Sequence, residues 1–199
     1  MPFTAAILAI ILTYIWVLDP RTPRAFVMIP IATVGLLGCW RALLTHEWGF
    51  KQSAFWPALR ASSLVTIAAV AAILVAGAAL GTLHDRPDFL GTLAPLIVWG
   101  GAQQWILQTV ALREAQRVTD RFGVLLAAAL FAVIHLPNPF LTVVTFAGGL
   151  AWCSIYARYP HILPLALSHA LGTLAILYAF DDAITGRLRI GYSYLQMWR

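Results

Sequence analysis

The feature that most constrains this chain is the run from Ala61 to Leu83, which contains no Asp, Glu, Lys or Arg. At about 1.5 Å of rise per helical residue, such a run crosses a hydrocarbon core of about 30 Å. Inside lipid every backbone N–H and C=O must be satisfied by the chain itself, which leaves helices and closed barrels. The apolar run is continuous rather than alternating, so a helix is expected. The pattern recurs along the sequence, in about seven apolar segments at roughly 3–18, 25–44, 61–83, 89–112, 122–137, 140–157 and 161–180. Only 11% of the residues are charged, against about 25% in soluble domains, and they cluster between the runs. The expected fold class is all-α, a polytopic membrane helix bundle with about seven transmembrane helices in a single domain, 1–199.

The connectors refine this picture. Leu136-Pro137-Asn138-Pro139 is so tight that the helices on either side must form a hairpin. Pro164 should kink the last segment or make it start late. Thr45 to Arg60 carries Trp48, Phe50, Phe55 and Trp56 among polar residues and reads as an interfacial stretch with an aromatic belt. The tail, 181–199, with Tyr192, Tyr194, Met197 and Trp198, is expected at the interface too. The first run, Phe3 to Leu18, lacks a basic leader and a small-x-small cleavage site, and reads as a retained helix.

The net charge of +5 comes from basic residues in short inter-helix loops, where lipid headgroups and topology account for them. There is no basic patch interleaved with exposed aromatics, so nucleic acid is set aside and the lipid bilayer is the expected partner. Cys39 and Cys153 both lie in apolar runs, with neither a disulfide framework nor metal spacing, and read as small buried apolar residues. With seven crossings, Arg41, Lys51, Arg60, Arg113, Arg117, Arg121 and Arg158 fall on the N-terminal side. Arg21, Arg24 and Arg86 fall on the other, with Arg187, Arg189 and Arg199 in the tail. Leaving out the tail, this asymmetry favours a cytoplasmic N-terminus.

Polar side chains at membrane depth are expensive and mark function by default. Gln103, Gln104 and Gln108 lie within one stretch of the fourth segment, with Gln104 and Gln108 on one face of a regular helix. Amides so placed act either as helix–helix glue or as a cavity lining. His135 ends Phe131-Ala132-Val133-Ile134-His135, and His169 sits in Leu167-Ser168-His169, one turn before Thr173. Each histidine alone reads as a satisfied hydrogen-bonder. Together with the amides they read as parts of one intramembrane polar site, with Gly100, Gly101, Gly148, Gly149 and Gly172 permitting close helix approach. Glu114 and Asp120, in the basic loop after segment four, read as solvated charges.

The order and spacing of these residues resembles the CPBP family (CAAX proteases and bacteriocin-processing enzymes, also called Abi), which are intramembrane proteases. The family pattern is Glu-Glu-x-x-x-Arg, then Phe-x-x-x-His, then a His-x-x-x-Asn-like helix. Here Phe131 to His135 matches the second motif, and His169-Ala170-Leu171 opens the third. Arg121-Phe122-Gly123, Gly148-Gly149-Leu150, Ile162-Leu163-Pro164 and His46 to Lys51 also resemble family segments. The family-like core is about 46–178. The resemblance implies a CAAX prenyl endopeptidase-like helical fold in a bacterial-type inner (plasma) membrane, with no cofactor.

The departures fall on the chemistry. Gln103 and Gln104 stand at the Glu-Glu positions, Gln108 at the Arg position and Thr173 at the Asn-like position; His135 and His169 keep the family identity. In the family, a glutamate and the first histidine are thought to activate water, and the later histidine with its partner would stabilise the oxyanion. Glutamine is nearly isosteric with glutamate but has no proton-accepting carboxylate, and loss of a general base typically costs about 10²–10⁴-fold. Without the acids an unpaired buried arginine would be costly, so the change at 108 compensates. An engineered Glu-to-Gln trap would not normally also remove the arginine. Three expectations follow. One is a non-proteolytic member that binds a hydrophobic peptide helix or lipid, or serves as a subunit of a membrane complex. A second is an active endopeptidase led by His135 and His169. A third has the two histidines ligating a haem or a metal.

Overall fold

The computed structural model describes residues 1–85 and 88–198. Arg86 and Arg199, which entered the loop-charge comparison, lie outside the described residues, as do the side chains of Arg24 and Trp198. Among the described residues the regular secondary structure is all helical, apart from one isolated antiparallel bridge between Phe50 and His161.

Every expected apolar segment is helical. The first is α1 (Pro2–Thr13), which runs into a π-helical turn, Tyr14–Leu18. Next come α2 (Met28–Thr45), α3 (Phe55–Leu80) and α4 (Phe89–Ile106). A second π-helical turn, Leu107–Leu112, leads from α4 into the short α5 (Arg113–Val118). They are followed by α6 (Gly123–Val133), α7 (Pro139–Arg158) and α8 (Ile162–Ala179), then the short α9 (Asp182–Thr185) and α10 (Gly191–Leu195). Among the described residues five stretches are long and apolar enough to cross a bilayer: Pro2–Arg21, Ala25–Thr45, Gln52–Leu80, Pro139–Arg158 and Ile162–Ala179. Gly123–Val133 is apolar but shorter. The chain is a multi-pass helical membrane protein.

One boundary departs from expectation. Phe55 to Arg60 is the first part of α3, so the third helix begins before the apolar segment expected at 61–83. Pro57 permits this because it falls in the first turn, where its missing N–H has no intrahelical partner to lose. Pro164 likewise falls in the first turn of α8. Cys153 is buried, as expected, whereas Cys39 is exposed on the surface of α2.

The chain forms two compact units. The first comprises Met1–Trp48, Ile106–Leu150 and Leu188–Arg199; the second comprises Gly49–Trp105 and Ala151–Arg187.

In the second unit α3 packs chiefly on α8. The two backbones come close at Gly77, where a Cβ would stand 2.5 Å from the carbonyl oxygen of Ala179. Gly81, at φ +68°, ends α3 in a Schellman motif, with Thr82 N–H donating to Gly77 O at 3.0 Å. Thr82 Oγ1 then donates to Ala179 O at 2.6 Å, tying the two helix ends together. At the opposite end of α8, Lys51 N–H donates to Pro160 O at 3.1 Å and Ile162 N–H to Gly49 O at 2.9 Å.

In the first unit the start of α1 is held by Glu114. Its Oε2 accepts from Thr4 N–H at 2.9 Å and Thr4 Oγ1 at 2.7 Å, and its Oε1 from Phe3 N–H at 3.3 Å. The expectation of a solvated Glu114 is therefore corrected: the first N–H groups of a helix need acceptors, and this carboxylate is buried supplying them. Asp120 is exposed, as expected. The tail is anchored to the connector after α6, with Gly191 N–H donating to Leu136 O at 2.8 Å and Asn138 Nδ2 to Arg189 O at 3.1 Å.

Two contrasts are expected in detergent unfolding measurements. Gly77→Ala should destabilise the protein by about 1–3 kcal/mol through overpacking. Gly35→Ala, where a Cβ meets nothing within 4 Å, should be neutral or stabilise by up to about 1 kcal/mol through helix propensity. Glu114→Ala should cost about 1–3 kcal/mol by leaving buried donors unmatched, whereas Asp120→Ala should stay within about 0.5 kcal/mol.

Candidate functional site

Within the second unit the structure joins two of the expected site residues. Gln104, on α4, is 0% exposed, and its Nε2 lies 3.2 Å from Nδ1 of His169 on α8. With the amide nitrogen toward the ring, Nδ1 accepts and the imidazole proton sits on Nε2. Gly100, one helical turn earlier, makes room for the ring: a Cβ there would stand 3.3 Å from His169 Cγ. Gly101 faces Ala166 in ordinary contact, at 3.6 Å from its Cβ, whereas Gly172 has nothing within 4 Å and so marks no close approach.

One face of the His169 ring is covered by Trp152, stacked at 4.7 Å between centroids and 20° between planes. Trp152 Nε1–H donates to Ser168 Oγ at 2.9 Å, and Ser168 Oγ lies 2.7 Å from Thr66 Oγ1. Thr66 Oγ1 is also 2.7 Å from the Ser62 carbonyl, which can only accept. The threonine proton therefore goes to that carbonyl, and Ser168 donates to Thr66. This chain from Trp152 to α3 fixes the indole against His169. Reading the sequence for histidines and amides missed it; the only signal was Ser168 beside His169 in an apolar run. Gln103 and Thr173 are half-buried, and neither makes a side-chain hydrogen bond among the described residues.

Also in the second unit, His161 is buried edge-on to Phe55 at 5.0 Å and to Phe50 at 5.8 Å. It lies in the loop before α8, and burial pushes its imidazole pKa below the ordinary histidine value. It explains why the stretch around Phe50 has a fixed place.

In the first unit Gln108 is fully buried within the π-helical turn. The regular helix on which the four-residue spacing argument stood ends at Ile106. Such widened turns occur frequently at functional sites. His135 follows α6 and is buried. Its Nδ1 lies 2.7 Å from the carbonyl oxygen of Phe131, which can only accept, so Nδ1 carries the proton and Nε2 carries the lone pair of the neutral ring. The Phe131 ring meets the imidazole edge-on at 5.0 Å, so the Phe-x-x-x-His spacing both orients and shields the histidine. Asn138, buried, caps α7 by accepting from Leu141 N–H at 3.0 Å, with Pro139 at the first helical position. Gly149 packs against Ala128, a Cβ there meeting its Cα at 3.2 Å.

Among the described residues no group of three or more His, Cys, Asp or Glu is placed to hold a metal ion.

Comparison with known proteins bears on this arrangement. Residues 88–175 match the family model described as type II CAAX prenyl endopeptidase Rce1-like. No curated protein and no solved structure matches the chain. The matched segment contains Gln103, Gln104, Gln108, His135, His169 and Thr173. The match, over less than half of the chain, supports membership of the CPBP family, the intramembrane proteases that include the type II CAAX prenyl endopeptidase.

Proposed function

We propose that this family member binds within the membrane and does not cut. In this reading Gln103, Gln104 and Gln108 hold the positions of the family's two glutamates and arginine, His135 and His169 keep their histidines, and Thr173 stands at the Asn-like position. The protein would serve as a binding or scaffold subunit of a membrane complex, receiving a hydrophobic peptide helix or a partner subunit. One observation carries it: the buried amide of Gln104 lies 3.2 Å from His169 Nδ1. An amide orients an imidazole as well as a carboxylate does, but neither takes a proton from water nor balances a developing positive charge. The simultaneous absence of arginine at 108 fits a pocket rebuilt for neutrality, because a buried guanidinium without its acids would be destabilising.

A second reading rests on His135. Its Nδ1–H is committed to Phe131, and Nε2 makes no hydrogen bond among the described residues, which is the tautomer a general base needs. On that reading the protein is an intramembrane endopeptidase using His135 and His169 without acidic help.

Incubation of the purified protein with a reporter transmembrane helix separates them. The binding reading expects no cleavage above background from the natural sequence. It expects cleavage at least 10²-fold above that level from the Gln103→Glu/Gln104→Glu/Gln108→Arg variant, the gain a restored general base supplies. Cleavage by the natural sequence that disappears in His135→Ala would establish the endopeptidase instead.

A further inference from the structure

The C-terminal tail is seated on the connector that carries His135. Gly191 N–H donates to Leu136 O at 2.8 Å, and Asn138 Nδ2 donates to Arg189 O at 3.1 Å. Within the same unit α10 packs on the π-helical turn Tyr14–Leu18. Gly191 is buried there at φ +58°. A Cβ on it would run into the carbonyl oxygen of Ile15 and stand 2.8 Å from the Ile15 Cβ. Glycine serves at this point for its small size and its backbone freedom alike.

The seat bears directly on the histidine. Leu136 follows it in the chain, and Asn138 N–H donates to His135 O at 3.1 Å. Asn138 thus joins three parts of the first unit. Its Oδ1 caps α7, its Nδ2 holds the tail and its N–H closes the turn from His135. At the centre of this arrangement His135 is only 7% exposed.

The tail is also built to come away. The helices α9 and α10 have 4 and 5 residues, whereas an isolated helix needs about 12–15 to persist in water. The tail therefore keeps its shape only while seated, and lifting it is a local opening that leaves the long helices in place. Just before it, Arg187 and Leu188 stand at φ 52° and 53°. Two successive non-glycine residues in the left-handed region are strained, and such strain persists only where the surroundings impose it. Lifting the tail lets both residues leave that region.

We propose that residues 188–198 form a releasable strap: seated, it holds the His135 connector in place, and lifted, it opens the imidazole to its surroundings. Whatever draws the tail away would expose His135, whether the site binds or cuts.

The test is acylation of the histidines by diethyl pyrocarbonate in the full chain in detergent, read by peptide mass spectrometry. The reagent attacks an accessible unprotonated ring nitrogen, which in His135 is Nε2. Gly191→Ala, which unseats the strap, should accelerate labelling of His135 about fivefold or more. Asn138→Asp keeps the oxygen that caps α7 and removes the Nδ2 donor, so it should accelerate labelling about threefold or more. His161 and His169, in the second unit, should keep their natural rates in both variants. An unchanged His135 rate in either variant would overturn the proposal. Equal acceleration at all three histidines would overturn it as well, because that reports a general loosening of the protein.

Discussion

A polar group in hydrocarbon has no water to fall back on, and the rest of this structure depends on meeting that constraint. The hydroxyls within the apolar helices show it in its simplest form. Thr33, Thr66, Thr142 and Thr145 each donate to the carbonyl four residues earlier, at 2.6–2.9 Å. Where a helix begins inside the protein, a side chain is brought to its free N–H groups: Glu114 for α1 and Asn138 for α7. Where two helices press together, as α3 and α8 do at Gly77, the hydroxyl of Thr82 goes to the carbonyl of Ala179.

The candidate residues within each unit follow the same logic at higher stakes. Two histidines and buried amides are tolerable at membrane depth only if their hydrogen-bonding capacity is used. His135 uses the Phe131 carbonyl, and His169 uses Gln104, with the Trp152–Ser168–Thr66 chain holding the indole against it. Neutral partners suffice for all of this. A glutamate at 104 would introduce a buried charge that needs a counter-charge, and the residue at 108 is a glutamine rather than an arginine. On the proposed reading, loss of the family's acids and loss of the arginine that balanced them are a single physical change.

Much of this was legible in the sequence. Continuous apolar runs announce spanning helices because lipid leaves the backbone no alternative, and each run is a helix. The two histidines and Gln104 stood out because their types are expensive where they lie. What escaped were features that depend on neighbours distant in sequence. Glu114 lies among the basic residues Arg113, Arg117 and Arg121 and looks like one more solvated charge; its role depends on the start of α1, over a hundred residues away. Phe55 to Arg60 stands outside the expected apolar run because polar residues interrupt it, and it is nonetheless helical, with Pro57 harmless in the first turn. Trp152 and Ser168 carry no mark of function in an apolar run, since their importance comes from stacking and bonding around His169. The π-helical turn around Gln108 has no periodicity signature at all.

The central claim is that the family's site has become a place that holds rather than cuts. A photoreactive amino acid at position 103, half-buried beside the Gln104–His169 pair, tests this directly in native membranes. Intact-mass analysis of the crosslinked adducts should find a full-length membrane polypeptide attached there. Adducts bearing a peptide truncated within its transmembrane segment would contradict the account.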